Sequence, residues 1–242
     1  MKKNYWLIII VFILTQLSPL VFLPLLNLVG FEGKELMGMA MFTGFTIGFI
    51  LITLIALKTE PQREFIDNRA TASETVLWSI LGIFMAFAGQ TIAALIETNL
   101  FGVEVGSENT QIIVDVANAV PLMIIVVAVF VPIMEEIVFR KVIFGYLYPR
   151  FGFWLSAIAS GLIFAVVHME FEHLLVYASM GIVFAYLYWK TKRIIVPILA
   201  HVGVNSFVMI VQVIFGDKMQ EIIEQFEEIE QTVQAIMKGF LL

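Results

Sequence analysis

Six side chains carry the chemistry this sequence offers: Glu135, Glu136 and Arg140 in VPIMEEIVFRK, His168 in FAVVH, and His201 with Asn205 in HVGVN. All six lie in or at the end of apolar runs, where an ionisable group is expensive, about 2.5–3.5 kcal/mol at mid-helix. Glu136 and Arg140 are four apart, so they share a helix face and can pair. Glu135 is turned by about 100° from Glu136, which leaves it the freer carboxylate. In that setting it can accept a proton near neutral pH, as a general base must. Pro132, just before the pair, lacks a backbone donor and is expected to kink the helix and open it to water.

Depth along the helices brings these groups together. At about 1.5 Å per residue, Glu135 stands roughly 22 Å from Arg150, and His168 about 24 Å from Gly152. The two helices run in opposite directions from the turn YPRFG, so Glu135 and His168 come out level. His201, about 12 Å from Arg193 by the same rise, agrees only loosely. His201 and Asn205 share a face and can direct two donors to one point, as an oxyanion hole requires. Read singly, these residues also suit structural uses: an interhelical salt bridge for Glu136–Arg140, and interhelical hydrogen bonds for His201 and Asn205. His173, in HMEFEH, is expected to be a wet surface histidine. His168 and Glu172 are at metal-ligand spacing but sit at a helix break.

The elements that must position these groups are membrane helices. Of 242 residues, 60% are hydrophobic and 14% charged, and the mean hydropathy is +0.96; soluble domains are near half apolar and a quarter charged. Seven apolar runs are expected to be helices: Tyr5–Leu26, Leu36–Leu57, Val76–Ile96, Val116–Leu147, Trp154–His168, Phe171–Trp189 and Ile194–Phe215. The fourth is overlong and charged; the fifth is short for a crossing. The first run is longer than a signal-peptide core and has no cleavage site after it, so it reads as a retained helix. Gly44 and Gly48 form a GxxxG pair suited to close helix packing. With the N-terminus in the cytoplasm, inner segments hold eleven of the fourteen basic residues, and only Lys34, Lys218 and Lys238 fall outside, so the positive-inside rule predicts N-terminus in and C-terminus out. After Phe215, Ile222, Phe226, Ile229, Val233, Ile236 and Phe240 form a heptad-like stripe opposite an acidic face. This amphipathic helix would pack on the protein's own outer face or join a second copy. The fold expected is an all-α, polytopic bundle of about seven transmembrane helices. It divides into 1–115 (the first three helices), 116–215 (a four-helix core holding all six residues) and 216–242 (the tail).

The absence of cysteine excludes disulfides, thiolate zinc sites and cysteine nucleophiles. A net charge of −6 gives no surface for nucleic acid.

The three motifs, EEIVFR at 135–140, FAVVH at 164–168 and HVGVN at 201–205, resemble the EExxxR, FxxxH and HxxxN motifs of the CPBP family. This is the CAAX-protease and bacteriocin-processing (Abi) family of intramembrane endopeptidases. Order and spacing also agree, over about residues 116–215. The resemblance implies a protease site within the membrane, open to the cytoplasm of a bacterial plasma membrane, acting on a membrane-associated peptide or protein. It implies that Glu135 with His168 activates water, that His201 and Asn205 stabilise the oxyanion, and that Glu136 and Arg140 hold the site together. Water activation without a cofactor is the expected chemistry; zinc on His168, His201 and a glutamate is the less favoured alternative. A non-catalytic membrane scaffold or regulator is the competing class.

Overall fold

The computed structural model describes the backbone of residues 2–104 and 106–240; the side chains of 217, 219–224 and 226–240 lie outside the described residues. Among the described residues the chain is helical, with no strand. In order the helices are α1 (Lys3–Gln16), α2 (Pro19–Asn27), α3 (Gly33–Leu57), α4 (Ala72–Phe101), α5 (Glu108–Ala119), α6 (Met123–Ile125), α7 (Val131–Glu135), α8 (Gly145–Val167), α9 (Leu174–Thr191) and α10 (Ile195–Phe240). Two π-helical segments, Val126–Phe130 and Glu136–Phe144, flank α7. The chain divides into two compact units, Met1–Ser206 and Phe207–Leu242. All six candidate residues belong to the first. The stripe expected in the tail falls on side chains outside the described residues, although the backbone there is helical to Phe240.

The expected helical membrane bundle is present, but the count of seven is not matched. Among the described residues, Gly33–Leu57, Ala72–Phe101, Phe171–Thr191 and Ile195–Gly216 are long and apolar enough to cross a bilayer, and α1 with α2, bent by 41°, makes a fifth if the pair is one span. The fourth run fails because π segments and α7 break it where it carries charge. The fifth run is joined to the helix before it across a kink at Gly152, whose φ of 70° lies in the left-handed region that glycine tolerates.

The first unit has two distinct ends. At one end, Lys2 Nζ donates to the Glu60 carbonyl, Lys141 Nζ to those of Ala56 and Thr59, and the Ala70 amide to the Thr191 carbonyl. Phe65 lies over Tyr188 there with ring centres 4.3 Å apart, above Phe144 and Tyr148. At the other end, Lys34 pairs with Asp115 and Asn109 reaches the Met169 turn. The GxxxG pair is used as expected: a Cβ at Gly44 would strike Ser18, and one at Gly48 would strike Thr15, so both glycines let α3 close on the bent α1–α2 pair. Gly161 and Gly181 do the same for α8 and α9: a Cβ on Gly181 would stand 2.6 Å from the Gly161 Cα.

Candidate active site

The site is built where α7 and its following π segment meet the C-terminal end of α8 and the middle of the first unit's part of α10. Pro132 is the second residue of α7, directly after a π segment; a missing backbone donor and an i→i+5 turn are both familiar ways to distort a helix. The second π segment starts at Glu136 and holds more residues per turn than an α-helix. It therefore shortens the axial distance from Glu135 to the 149–152 turn relative to a straight count, which helps Glu135 reach the level of His201.

Glu136 and Arg140 are fully buried, Glu135 is 6% exposed and His201 2%. Arg140 Nε lies 3.2 Å from Glu136 Oε2, an ion pair whose angles fall short of a hydrogen bond. Arg140 Nη2 donates to the Gly181 carbonyl at 3.4 Å, which the Gly161–Gly181 crossing presents. The guanidinium lies 4.6 Å from the Phe164 ring centre and 5.3 Å from that of Phe184, a cation–π setting.

Glu136 faces two partners. Its Oε1 stands 2.9 Å from His201 Nδ1, and being a carboxylate paired with arginine it accepts, so Nδ1 carries a proton. Arg140, Glu136 and His201 thus form a chain that fixes the imidazole, with Phe184 stacked on it at 4.6 Å. His201 Nε2 then points at Glu135 Oε2, 3.7 Å away. His168 is fixed likewise. Its Nδ1 donates to the Phe164 carbonyl at 2.8 Å, leaving Nε2 as a lone pair 3.9 Å from Glu135 Oε1. Glu135 makes no hydrogen bond among the described residues and lies between the two imidazoles. Both separations are too long for direct hydrogen bonds and short enough for one water to touch both groups.

The structure therefore brings together Glu135, Glu136, Arg140, His168 and His201 as their spacing predicts. Asn205 is on the same helix, but its Nδ2 donates to the Val127 carbonyl at 3.2 Å, inside the first π segment. One N–H of that amide remains for another acceptor. Among the described residues no three His, Asp or Glu side chains are gathered in a way that could hold a metal ion.

Residues that sequence reasoning passed over hold His168 and the turn that follows it. Tyr177 stacks on its ring at 4.1 Å and donates its hydroxyl to Glu170 at 2.7 Å. Asn109 donates to the His168 carbonyl at 2.8 Å, and Ser107 Oγ to Glu170 at 2.9 Å. Glu170 thus ties the segment before α5 to the turn after α8. Nothing local marks Asn109 and Ser107, because their partners lie about sixty positions away in the chain.

His173 corrects the expectation of a wet surface histidine. Its Nδ1 lies 3.1 Å from Oε2 of Glu97, and its side chain is 15% exposed. Glu97, itself buried, also accepts from the Leu175 and Val176 amides at 2.7 and 3.2 Å. It caps the N-terminus of α9, where backbone donors are otherwise unsatisfied, and pins α4 to it.

His168 and its neighbours lie at the end away from Lys58–Arg69 and Lys190–Arg193. The charge bias places that end outside, whereas the motif resemblance implies a site open to the cytoplasm. The structure sets those two expectations against each other.

Known proteins are similar to this chain over the segment that holds the site. A family model described as type II CAAX prenyl endopeptidase Rce1-like matches residues 117–207, which hold all six residues. The chain is 41% identical over 250 residues to the putative membrane peptidase YdiL of Bacillus subtilis (strain 168), covering the whole of both chains. It is 32% identical to the membrane-embedded CAAX protease MroQ of Staphylococcus aureus (strain USA300), over 90% of this chain and 93% of that one. No solved structure matches. With this identity sustained over nearly the full length of two membrane peptidases, the chain belongs to the CPBP family of membrane CAAX-type proteases.

Proposed function

We propose that this bacterial membrane protein hydrolyses a peptide bond of a membrane-associated peptide or protein, with water activated by Glu135 and His168. The observation that carries the reading is the Glu135 carboxylate placed between two imidazole Nε2 atoms at 3.9 and 3.7 Å. A water donating one proton to Glu135 and the other toward His168 Nε2 keeps a lone pair free to attack. Its proton passes to Glu135 as its oxygen bonds to the carbonyl carbon, and the carbonyl oxygen becomes an oxyanion. His201, protonated on both nitrogens with Glu136 stabilising the cation, donates from Nε2, and Asn205 donates its remaining N–H. Glu135 then returns the proton to the leaving nitrogen, the C–N bond breaks, and the products are a carboxylic acid and an amine, which leave as carboxylate and ammonium. A scaffold has no use for five ionisable groups converged in an apolar interior.

The test is a cleavage assay on small membrane-anchored peptides with the purified protein in proteoliposomes, read as new chain termini by mass spectrometry. A metal-free mechanism makes a separate prediction. Purified protein contains far less than one equivalent of zinc and keeps its activity after chelation. Stoichiometric zinc, lost with activity and restored with it, recasts His168 and His201 as ligands.

We further propose that the cation-rich end is cytoplasmic, with the N-terminus. The parent has no cysteine, so single cysteines report cleanly. Asp67→Cys should be labelled by a membrane-impermeant reagent only from the cytoplasmic side, and Glu104→Cys only from outside. The reverse pattern gives the site to the cytoplasmic half instead.

A further inference from the structure

A second site lies at the opposite end of the first unit from the glutamates. A cavity of about 250 Å³ is lined by Pro61, Arg69, Lys141, Tyr188, Lys192, Arg193, Ile194 and Ile195. Four of the eight are cations and none is an acid. Among the described residues none of the four is within ion-pair distance of a carboxylate. Arg69 and Arg193 spend only Nε, on the carbonyls of Phe65 and Ala70, which leaves their terminal N–H groups free to meet a ligand. Lys141 is held in the wall by two carbonyls. The start of α10 adds the positive end of the helix dipole at Ile194 and Ile195.

We infer that this cavity binds the phosphate-bearing headgroup of an anionic phospholipid. The position selects a lipid over a soluble anion. The cavity sits where the apolar spans Gly33–Leu57, Phe171–Thr191 and Ile195–Gly216 end or begin, at headgroup depth. Just beyond it, Ile195 and Leu199, one turn apart on α10, are 42% and 43% exposed, a surface for acyl chains. Cations on opposed elements converging on one cavity make a site of defined stoichiometry, whereas the scattered basic residues of a cytoplasmic face give only diffuse attraction.

The test uses the full-length protein in non-ionic detergent, stripped of lipid, with binding followed by native mass spectrometry and by the thermal midpoint. Phosphatidylglycerol is expected to bind saturably at one site and raise the midpoint; phosphatidylcholine and inorganic phosphate at the same concentration are not. Arg69→Gln with Lys192→Gln weakens phosphatidylglycerol binding by roughly tenfold or more. Lys3→Gln with Lys58→Gln, which removes equal charge from exposed positions outside the cavity lining, leaves it within about twofold. Lys192→Gln alone, whose side chain makes no hydrogen bond among the described residues, guards against a folding defect and should still weaken binding severalfold. Equal losses in the two double variants, an equal response to inorganic phosphate, or no saturable binding overturns the inference.

Discussion

Glu135→Gln abolishes cleavage, by at least about 100-fold, while the protein accumulates in the membrane at the parent level. The substitution keeps the side-chain volume and replaces a carboxylate by an amide that cannot take a proton from water. Stability is spared because Glu135 has no hydrogen-bonded partner among the described residues to lose, and its neighbours are two imidazoles at 3.7 and 3.9 Å. Loss of activity together with normal abundance therefore marks a chemical role. Cleavage at a near-parent rate in the variant, measured on the same peptide, removes Glu135 as the base and shifts attention to the histidines. Glu136→Gln does not behave in the same way, because Glu136 faces Arg140 and His201 at 3.2 and 2.9 Å. It lowers stability as well as activity.

Arg140→Ala produces a protein that is both inactive and markedly less stable. Removing one member of a buried pair leaves the other charge without compensation, at about 3–5 kcal/mol. Both side chains here are fully buried, and the truncation also empties the space the guanidinium fills beside Phe164 and Phe184. The measurement is the thermal midpoint in detergent beside the amount recovered from membranes. Arg140→Lys does not rescue fully, since an ammonium cannot reproduce the planar contact with two rings and the Gly181 carbonyl. Replacing both charges, Arg140→Met with Glu136→Gln, recovers much of the stability because no buried charge is stranded. It does not recover activity, because His201 Nδ1 then lacks its carboxylate. A single Arg140→Ala variant with parental stability shows that the pair does not hold the helix in place.

Much of this site was legible because its information is local. Glu136–Arg140 is an i, i+4 pair, and the freedom of Glu135 follows from a rotation of one residue. The levels of Glu135 and His168 follow from counting residues back to one turn, and the structure places their Oε1 and Nε2 atoms 3.9 Å apart. The Gly44–Gly48 pair announced a close helix contact without saying that Ser18 and Thr15 would fill it. The rest depended on how helices and turns pack. Glu97 is a lone acid near the apolar C-terminal end of α4; only the packing of α9 beside it makes it a cap and the partner of His173. Tyr177 looked like an ordinary aromatic of a membrane helix, and its stacking on His168 requires the turn at Met169, where φ is 58°. The π segments were also out of reach. Hydrophobicity alone marks 116–147 as one long helix, whereas the backbone there changes its hydrogen-bond spacing on both sides of α7.

The most direct test of the account is cleavage of a membrane-anchored peptide by the purified protein in proteoliposomes prepared in 18O-labelled water. The account predicts a single cut, one 18O atom in the newly formed carboxylate of the product, and no product from Glu135→Gln in the same vesicles. A peptide library left intact by the parent protein, or cut equally by the parent and by Glu135→Gln, contradicts it.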